Sequence, residues 1–268
     1  MLHLRSVELG ATSGLQKTRY PFALPLIRTF SRIQFTTPIT FFVGENGTGK
    51  STLLSAIAAS IGSIAVGTNN LDEDPDLAPA RDLSRYLRLS WQVRTRKGFF
   101  LRAEDFINYT RRLSRLRTEM EQELCNTEAE YADRSEYAKN LASGPFKGQL
   151  HALRELYGEG LDKQSHGESF ISLFQARFVP GGVYLLDEPE AALSPLKQLA
   201  LLSLFKEMER QGGQFIIATH SPILMAYPGA TILSFDDPPV RPISFSQLEH
   251  VNLTRDFLNN SEAFLRHL

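Results

Sequence analysis

Gly44-Glu45-Asn46-Gly47-Thr48-Gly49-Lys50-Ser51 is the segment of this 268-residue chain whose residue types and spacing point most directly to chemistry. Glycines at its first, fourth and sixth positions let the backbone wrap a phosphate group, so that N–H donors and a following helix N-terminus face the negative charge. Lys50 would reach the β and γ oxygens of a nucleotide, and Ser51 would ligate Mg2+. Glu45, Asn46 and Thr48 fill the loop, and Thr52 continues it into the next element. A second candidate is Val183-Tyr184-Leu185-Leu186-Asp187-Glu188, an apolar run ending in two acids. Asp187 would hold Mg2+ through its water shell, and Glu188 would orient or deprotonate an attacking water.

These groups need elements that converge. The run Ile39 to Val43 reads as a strand entering the glycine loop, and Thr52 to Ile64 has helical spacing after it. Val183 to Leu186 and Phe215 to Ala218 read as buried parallel strands, with Ser194 to Gln211 crossing between them as a helix. His220 follows the second of these strands, at the carboxyl edge of a parallel sheet, where α/β folds bind ligands. There it would hydrogen-bond a γ-phosphate or the attacking water.

Elsewhere, Leu2 to Leu9 and Phe22 to Val43 predict strands with turns, a β-rich entry. Gly67 to Pro79 predicts a mobile surface loop, and Leu87 to Val93 with Gly98 to Leu101 predicts a strand pair. A long helix is expected from about Glu104. Phe106, Tyr109, Leu113, Leu116, Met120 and Leu124 form its apolar stripe, and a break is expected at Gly144-Pro145. A C-terminal helix is expected over Ser246 to Leu268.

The composition is that of an ordinary globular protein, with formal charge −1, 42% hydrophobic and 22% charged residues. It supplies no general drive toward nucleic acid or anionic membrane. The single cysteine, Cys125, permits no internal disulfide, which suits a reducing, cytoplasmic setting. No apolar run reaches membrane-span length, and the N-terminus lacks a signal-peptide core. Local charge is uneven: Arg94 to Arg117 carries eight basic and two acidic residues, net +6, and Glu119 to Glu136 carries seven acidic and one basic, net −6. The basic stretch reads either as a solvated face paired to the acidic one or as a surface for nucleic-acid phosphates.

In motif order the chain resembles the ABC-class ATPases. The resemblance rests on the Walker A loop at Gly44 to Ser51, the Walker B pair Asp187-Glu188, Ser165-His166-Gly167-Glu168 in the signature position, and His220 in the switch position. Asp187 to Glu190 (Asp-Glu-Pro-Glu) and Thr219 to Pro222 (Thr-His-Ser-Pro) look like the soluble branch that includes SMC and RecF. The resemblance implies an α/β fold with a P-loop parallel sheet flanked by helices, an N-terminal antiparallel β portion and a helical insert. It implies one ATPase domain over 1–268, with the insert over about 102–178.

It further implies that ATP and Mg2+ are bound, with Lys50, Glu188 and His220 catalytic. Ser165 and Gly167 would contact the γ-phosphate held by a second protomer in a head-to-tail homodimer. The signature is altered: Gln164 stands for leucine, His166 for the first glycine and Glu168 for glutamine. Glu104 stands as the glutamine-loop equivalent and metal neighbour, with Gln92 in reserve. Glu190 to Ser194 resembles the loop that crosses to the other protomer. Tyr20 or Phe22 would stack on adenine.

Forty-eight residues follow His220, too few for an attached Toprim-type nuclease, so an unidentified effector is expected to receive the output. Rival readings are a transporter's nucleotide-binding subunit and a dimerisation module that binds ATP with little hydrolysis. The chain carries no Asn-Lys-x-Asp for guanine.

Overall fold

The computed structural model describes residues 2–10, 18–66, 74–157 and 166–266. Two sheets organise them. Seven strands form the larger: β3 (Ile39–Val43), β4 (Ile64–Ala65), β6 (Gly98–Arg102), β7 (Val183–Asp187), β8 (Gln214–Ala218), β9 (Thr231–Ser234) and β10 (Arg241–Pro242). Their spatial order is β10-β9-β3-β8-β7-β6-β4, parallel except for β10. The smaller sheet, β1 (Leu4–Leu9), β2 (Arg32–Gln34) and β5 (Leu87–Trp91), is antiparallel in the order β2-β1-β5.

The central strands are apolar on both faces, as strands covered on both sides must be. Alternation by two divides them: Phe41, Leu101, Leu186 and Ile217 enter one apolar cluster, and Phe42, Phe100, Leu185 and Ile216 the other. The first cluster is covered by α4 (Ala103–Glu130), α6 (His166–Arg177), α7 (Pro195–Arg210) and α8 (Pro222–Met225), through Phe106, Phe170, Phe174, Phe205 and Leu224. α9 (Glu249–Asn259) adds Val251. The second is covered by α1 (Pro25–Thr29), α2 (Lys50–Ile61) and α3 (Ala78–Ser84), together with β1. α5 (Glu136–Tyr157) packs on α4, and α10 (Ser261–Leu265) follows α9.

The parallel sheet, the crossover helix and the N-terminal antiparallel strands match the expected fold class. Five local expectations are corrected. Leu87 to Val93 and Gly98 to Leu101 are not a hairpin: β5 pairs with β1, and β6 lies between β4 and β7 in the other sheet. The β6–β7 approach is close enough that a Cβ on Gly98, at φ +113°, would lie 1.9 Å from the Val183 carbonyl oxygen, so only glycine fits. Of the expected loop over Gly67 to Pro79, residues 67–73 lie outside the described residues. The rest forms a 3-10 turn, Pro75–Leu77, leading into α3, because Asp74 is tied to Arg102 at 2.7 Å.

Gly144-Pro145 does not break the helix. α5 runs through it, and the break falls at Tyr131 to Ser135; packing of α5 against α4 and burial of Leu150 outweigh the backbone bond a proline removes. The segment Phe22 to Val43 includes the helix α1, started by Pro25. The C-terminal helix is two, split at Asn260, whose side chain accepts from the Ala263 N–H to begin α10.

Candidate functional site

The glycine loop sits where β3 ends and α2 begins, at the carboxyl edge of the parallel sheet. Gly44, Gly47 and Gly49 have φ of +142°, +85° and +99°, which turns the backbone into a concave nest of donors. Lys50 is only 4% exposed, and its Nζ donates to the Gly44 and Glu45 carbonyls, the latter at 2.9 Å. Burial lowers its pKa, against the carboxylates of Glu188, Asp236, Asp187 and Glu45, which hold it up. A buried cation ringed by acids and folded over its own loop fits an anion that would replace those carbonyls as its partner.

Neighbouring strands bring the acids alongside. β7 and β8 are in register, so Asp187 lies opposite Ala218, two residues before His220. The Ser51 hydroxyl donates to Asp187 Oδ1 at 2.9 Å across 136 residues of sequence. Asp187 is 8% exposed, and burial pushes its pKa up to about 7 despite that hydrogen bond, with Glu188 and Glu104 adding to the rise. A desolvated carboxylate beside a hydroxyl is the donor set expected of a hard divalent cation, so Ser51 and Asp187 fit Mg2+. Among the described residues no cluster of three or more His, Cys, Asp or Glu forms a protein-only metal cage.

Glu188 has φ 50° and ψ 48°, the one non-glycine residue of positive φ among those described. Such a backbone costs about 1–3 kcal/mol and persists where its surroundings enforce it. Here the Glu188 N–H donates to the Ala218 carbonyl at 2.9 Å and its carbonyl accepts from Ala191 at 3.0 Å. The carboxylate is thereby turned toward His220, with Glu188 Oε1 3.8 Å from His220 Nε2. Glu190 fixes the other side: its Oε1 accepts the His220 backbone N–H at 2.6 Å. Two polar atoms of these residues, His220 Nε2 and Glu190 Oε2, are buried without hydrogen-bond partners.

Glu104 lies in the first turn of α4, two residues beyond Arg102, which is in register with Asp187, so it stands on the same sheet edge. It ion-pairs with Arg102 at 3.2 Å, and Arg102 is also held bidentately by Asp105. Gln92 is at the opposite edge: its N–H donates to the His3 carbonyl, and His3 is tied to Gln214 at the start of β8. Phe22 is core, edge-on to Tyr86, whereas Tyr20 is exposed, with its hydroxyl 2.8 Å from Thr52 Oγ1 beside the loop. Ser165 lies outside the described residues. Gly167 lies in the first turn of α6, where a Cβ would meet Lys197 and the Ala192 carbonyl.

One residue of this neighbourhood escaped the sequence reading. Asp236, just past β9, accepts the Glu45 N–H at 2.6 Å, and a Cβ on Gly44 would meet it at 2.8 Å. The signal available was Asp236-Asp237 at a strand end.

A family described as "AAA domain, putative AbiEii toxin, Type IV TA system" matches residues 169–226. The chain is 27% identical over 185 residues to the hemin import ATP-binding protein HmuV of Pseudomonas aeruginosa, 66% of this chain and 64% of that protein. It thus spans under two thirds of that relative's length. Among solved structures it is similar to the Smc head domain of Pyrococcus furiosus bound to the C-terminal domain of ScpA, with 13% identity, 96% of this chain, 100% of that one and TM-score 0.45. It is likewise similar to cbiO1 of Clostridium perfringens, part of the ABC transporter complex cbiONQ, with 16% identity, all of both chains and TM-score 0.45.

Proposed function

We propose that this chain, with its ABC-type P-loop ATPase fold, binds and hydrolyses ATP in a head-to-tail homodimer, as a single ATPase domain working outside a transporter in a cytoplasmic setting. The observation that carries the reading is the convergence of Ser51, Asp187, Glu188 and His220 on one sheet edge, with Ser51 bonded to Asp187 at 2.9 Å. In this reading the loop N–H groups from Gly44 to Ser51 take the phosphate oxygens, and Lys50 exchanges its carbonyl partners for the β and γ oxygens. Ser51 and Asp187 hold Mg2+, which neutralises charge on the phosphates when bound, and Glu104 adds a carboxylate to the same edge. Glu188 accepts the proton of the attacking water, and His220 donates to the terminal phosphate as charge builds there. Tyr20 is the exposed aromatic ring beside the loop for adenine.

Ser165 and Gly167 would come to the γ-phosphate from the second protomer, with closure doing work through the helices between β6 and β7. The test compares wild type with Glu188→Gln by phosphate release and light scattering, with and without Mg-ATP. Turnover should fall by about 10²–10⁴-fold, with the variant accumulating as an ATP-dependent dimer. Binding of ATP with neither dimerisation nor hydrolysis in either protein would overturn the reading. The match to a hemin import ATP-binding protein favours a second reading, a transporter subunit. That reading requires an integral membrane protein to co-purify stoichiometrically.

A further inference from the structure

His220 stands in the stretch Thr219 to Ser221 that joins β8 to α8, and this stretch belongs to no helix or strand. Its backbone N–H groups must therefore find partners elsewhere, and where they go decides how the His220 backbone is set. The Thr219 N–H donates to the Phe42 carbonyl at 3.2 Å, and the Ser221 N–H to Thr219 Oγ1 at 3.0 Å. The His220 N–H leaves its own segment: it donates to Glu190 Oε1 at 2.6 Å, across 30 residues of sequence. A backbone donor held by a carboxylate is a short, strong contact of the charge-assisted kind.

Glu190 is itself fixed by its turn. Pro189 opens the 3-10 turn Pro189–Ala192 directly after the left-handed Glu188, and the Leu193 N–H closes it on the Glu190 carbonyl at 2.8 Å. One short turn thus carries two carboxylates to His220: Glu188 beside the ring, with Oε1 3.8 Å from Nε2, and Glu190 on the backbone N–H. A second brace runs from the same side. Gln198, on α7, donates from Nε2 to the Leu193 carbonyl at 3.1 Å and accepts the Ser221 hydroxyl on Oε1. That hydroxyl in turn accepts the Leu224 N–H at 3.1 Å and caps α8. The His220 peptide is therefore gripped at its own N–H and again one residue on, both times from the segment that follows β7.

We propose that Glu190 is a positioning residue for the reaction at this edge: by holding the His220 backbone N–H it sets the imidazole beside Glu188, and it touches neither nucleotide nor water itself. Gln198 steadies the same loop through Ser221. The inference rests on the ATP-hydrolysis reading above and gives a role to a residue that reading leaves without one.

The experiment measures kcat by phosphate release and ATP affinity by calorimetry for wild type, Glu190→Ala, Glu190→Gln, Glu190→Asp, His220→Ala and the double variant Glu190→Ala with His220→Ala. Displacing a reacting group by about 1 Å costs about 100-fold, so Glu190→Ala should lower kcat by about 10–100-fold with ATP affinity unchanged, because the glycine loop and Lys50 are untouched. Glu190→Gln keeps an acceptor at full reach and should recover most of the loss. Glu190→Asp keeps the charge but falls one methylene short, and should stay impaired. In the His220→Ala background, removing Glu190 should lower the residual rate no further, since the ring it sets is gone. A Glu190→Ala protein as active as wild type, a Glu190→Gln protein no better than Glu190→Ala, or a further loss in the His220→Ala background overturns the proposal. Loss of ATP affinity in Glu190→Ala marks a collapsed site, and the paired Glu190→Gln and Glu190→Asp variants then decide by reach against charge. A wild type without turnover overturns the ATP-hydrolysis reading itself, and that failure is distinct because it is seen before any variant is made.

Discussion

Asp187 shows what the site costs its own protein. Burial raises its pKa to about 7, above the ordinary 3.8 of the unfolded chain. A raised acid binds its proton more tightly when folded, so the native state loses stability as pH rises from about 4 to about 7 and keeps that deficit above it. In the absence of divalent cation the protein should therefore melt higher at pH 5 than at pH 8. Asp187→Asn should flatten the difference, which is at most about 3 kcal/mol between those two pH values; thermal unfolding across pH in a chelating buffer reads it. An unchanged slope in the variant would show that another group sets it. At this scale Lys50, Ser51, Asp187, Glu188 and His220 were legible from type and spacing. Glu190's grip on the His220 backbone and the left-handed Glu188 were not, because each depends on which strand ends lie side by side.

At the scale of elements, the strand edges do the positioning, and β6 against β7 is the tightest junction. Gly98→Ala would drive a methyl into the Val183 carbonyl at 1.9 Å, an approach to backbone that no rotamer relieves. The substitution should destabilise the protein by more than about 3 kcal/mol or prevent folding, whereas Gly148→Ala, with open space around its Cβ, should be neutral or stabilising; urea titration of the pair is the check. A small effect at Gly98 would mean that the two strands part easily. Helix and strand types were readable from period, as in β7, α7 and β8. Their partners were not: nothing in Leu87 to Trp91 announces that β5 leaves its neighbour for β1, and α5 carries Pro145 because tertiary packing outweighs one lost backbone bond.

At the scale of the whole molecule, a buried side chain ties the two sheets together beside the apolar cluster they share. Gln214 Oε1 accepts from the His3 and Leu4 N–H groups at 2.9 and 2.8 Å, and its Nε2 donates to the Leu4 carbonyl at 2.9 Å, so an amide stands in for a strand edge. Gln214→Leu leaves three buried backbone groups unpaired and should cost about 3 kcal/mol or more, read as a fall in melting temperature with the N-terminal strand exchanging amide protons early. Equal protection of β1 in the variant would refute the tie. The opposed charges of α4 also resolve at this scale: Arg117 pairs with Glu121 and Lys147 with Glu128, which gives part of that helix an internal account. No described helix is long and apolar enough to cross a membrane. The sequence by itself determined a glycine-rich turn between strand and helix, an acid pair at a strand end, a histidine just past the next strand and a parallel core, because those are written in local type, spacing and period. Only the tertiary structure decided that Asp236 reaches the loop, that Gln214 joins the sheets and that Glu104 rather than Gln92 shares the edge, since adjacency between residues far apart in the chain is set by strand order, which no local pattern encodes.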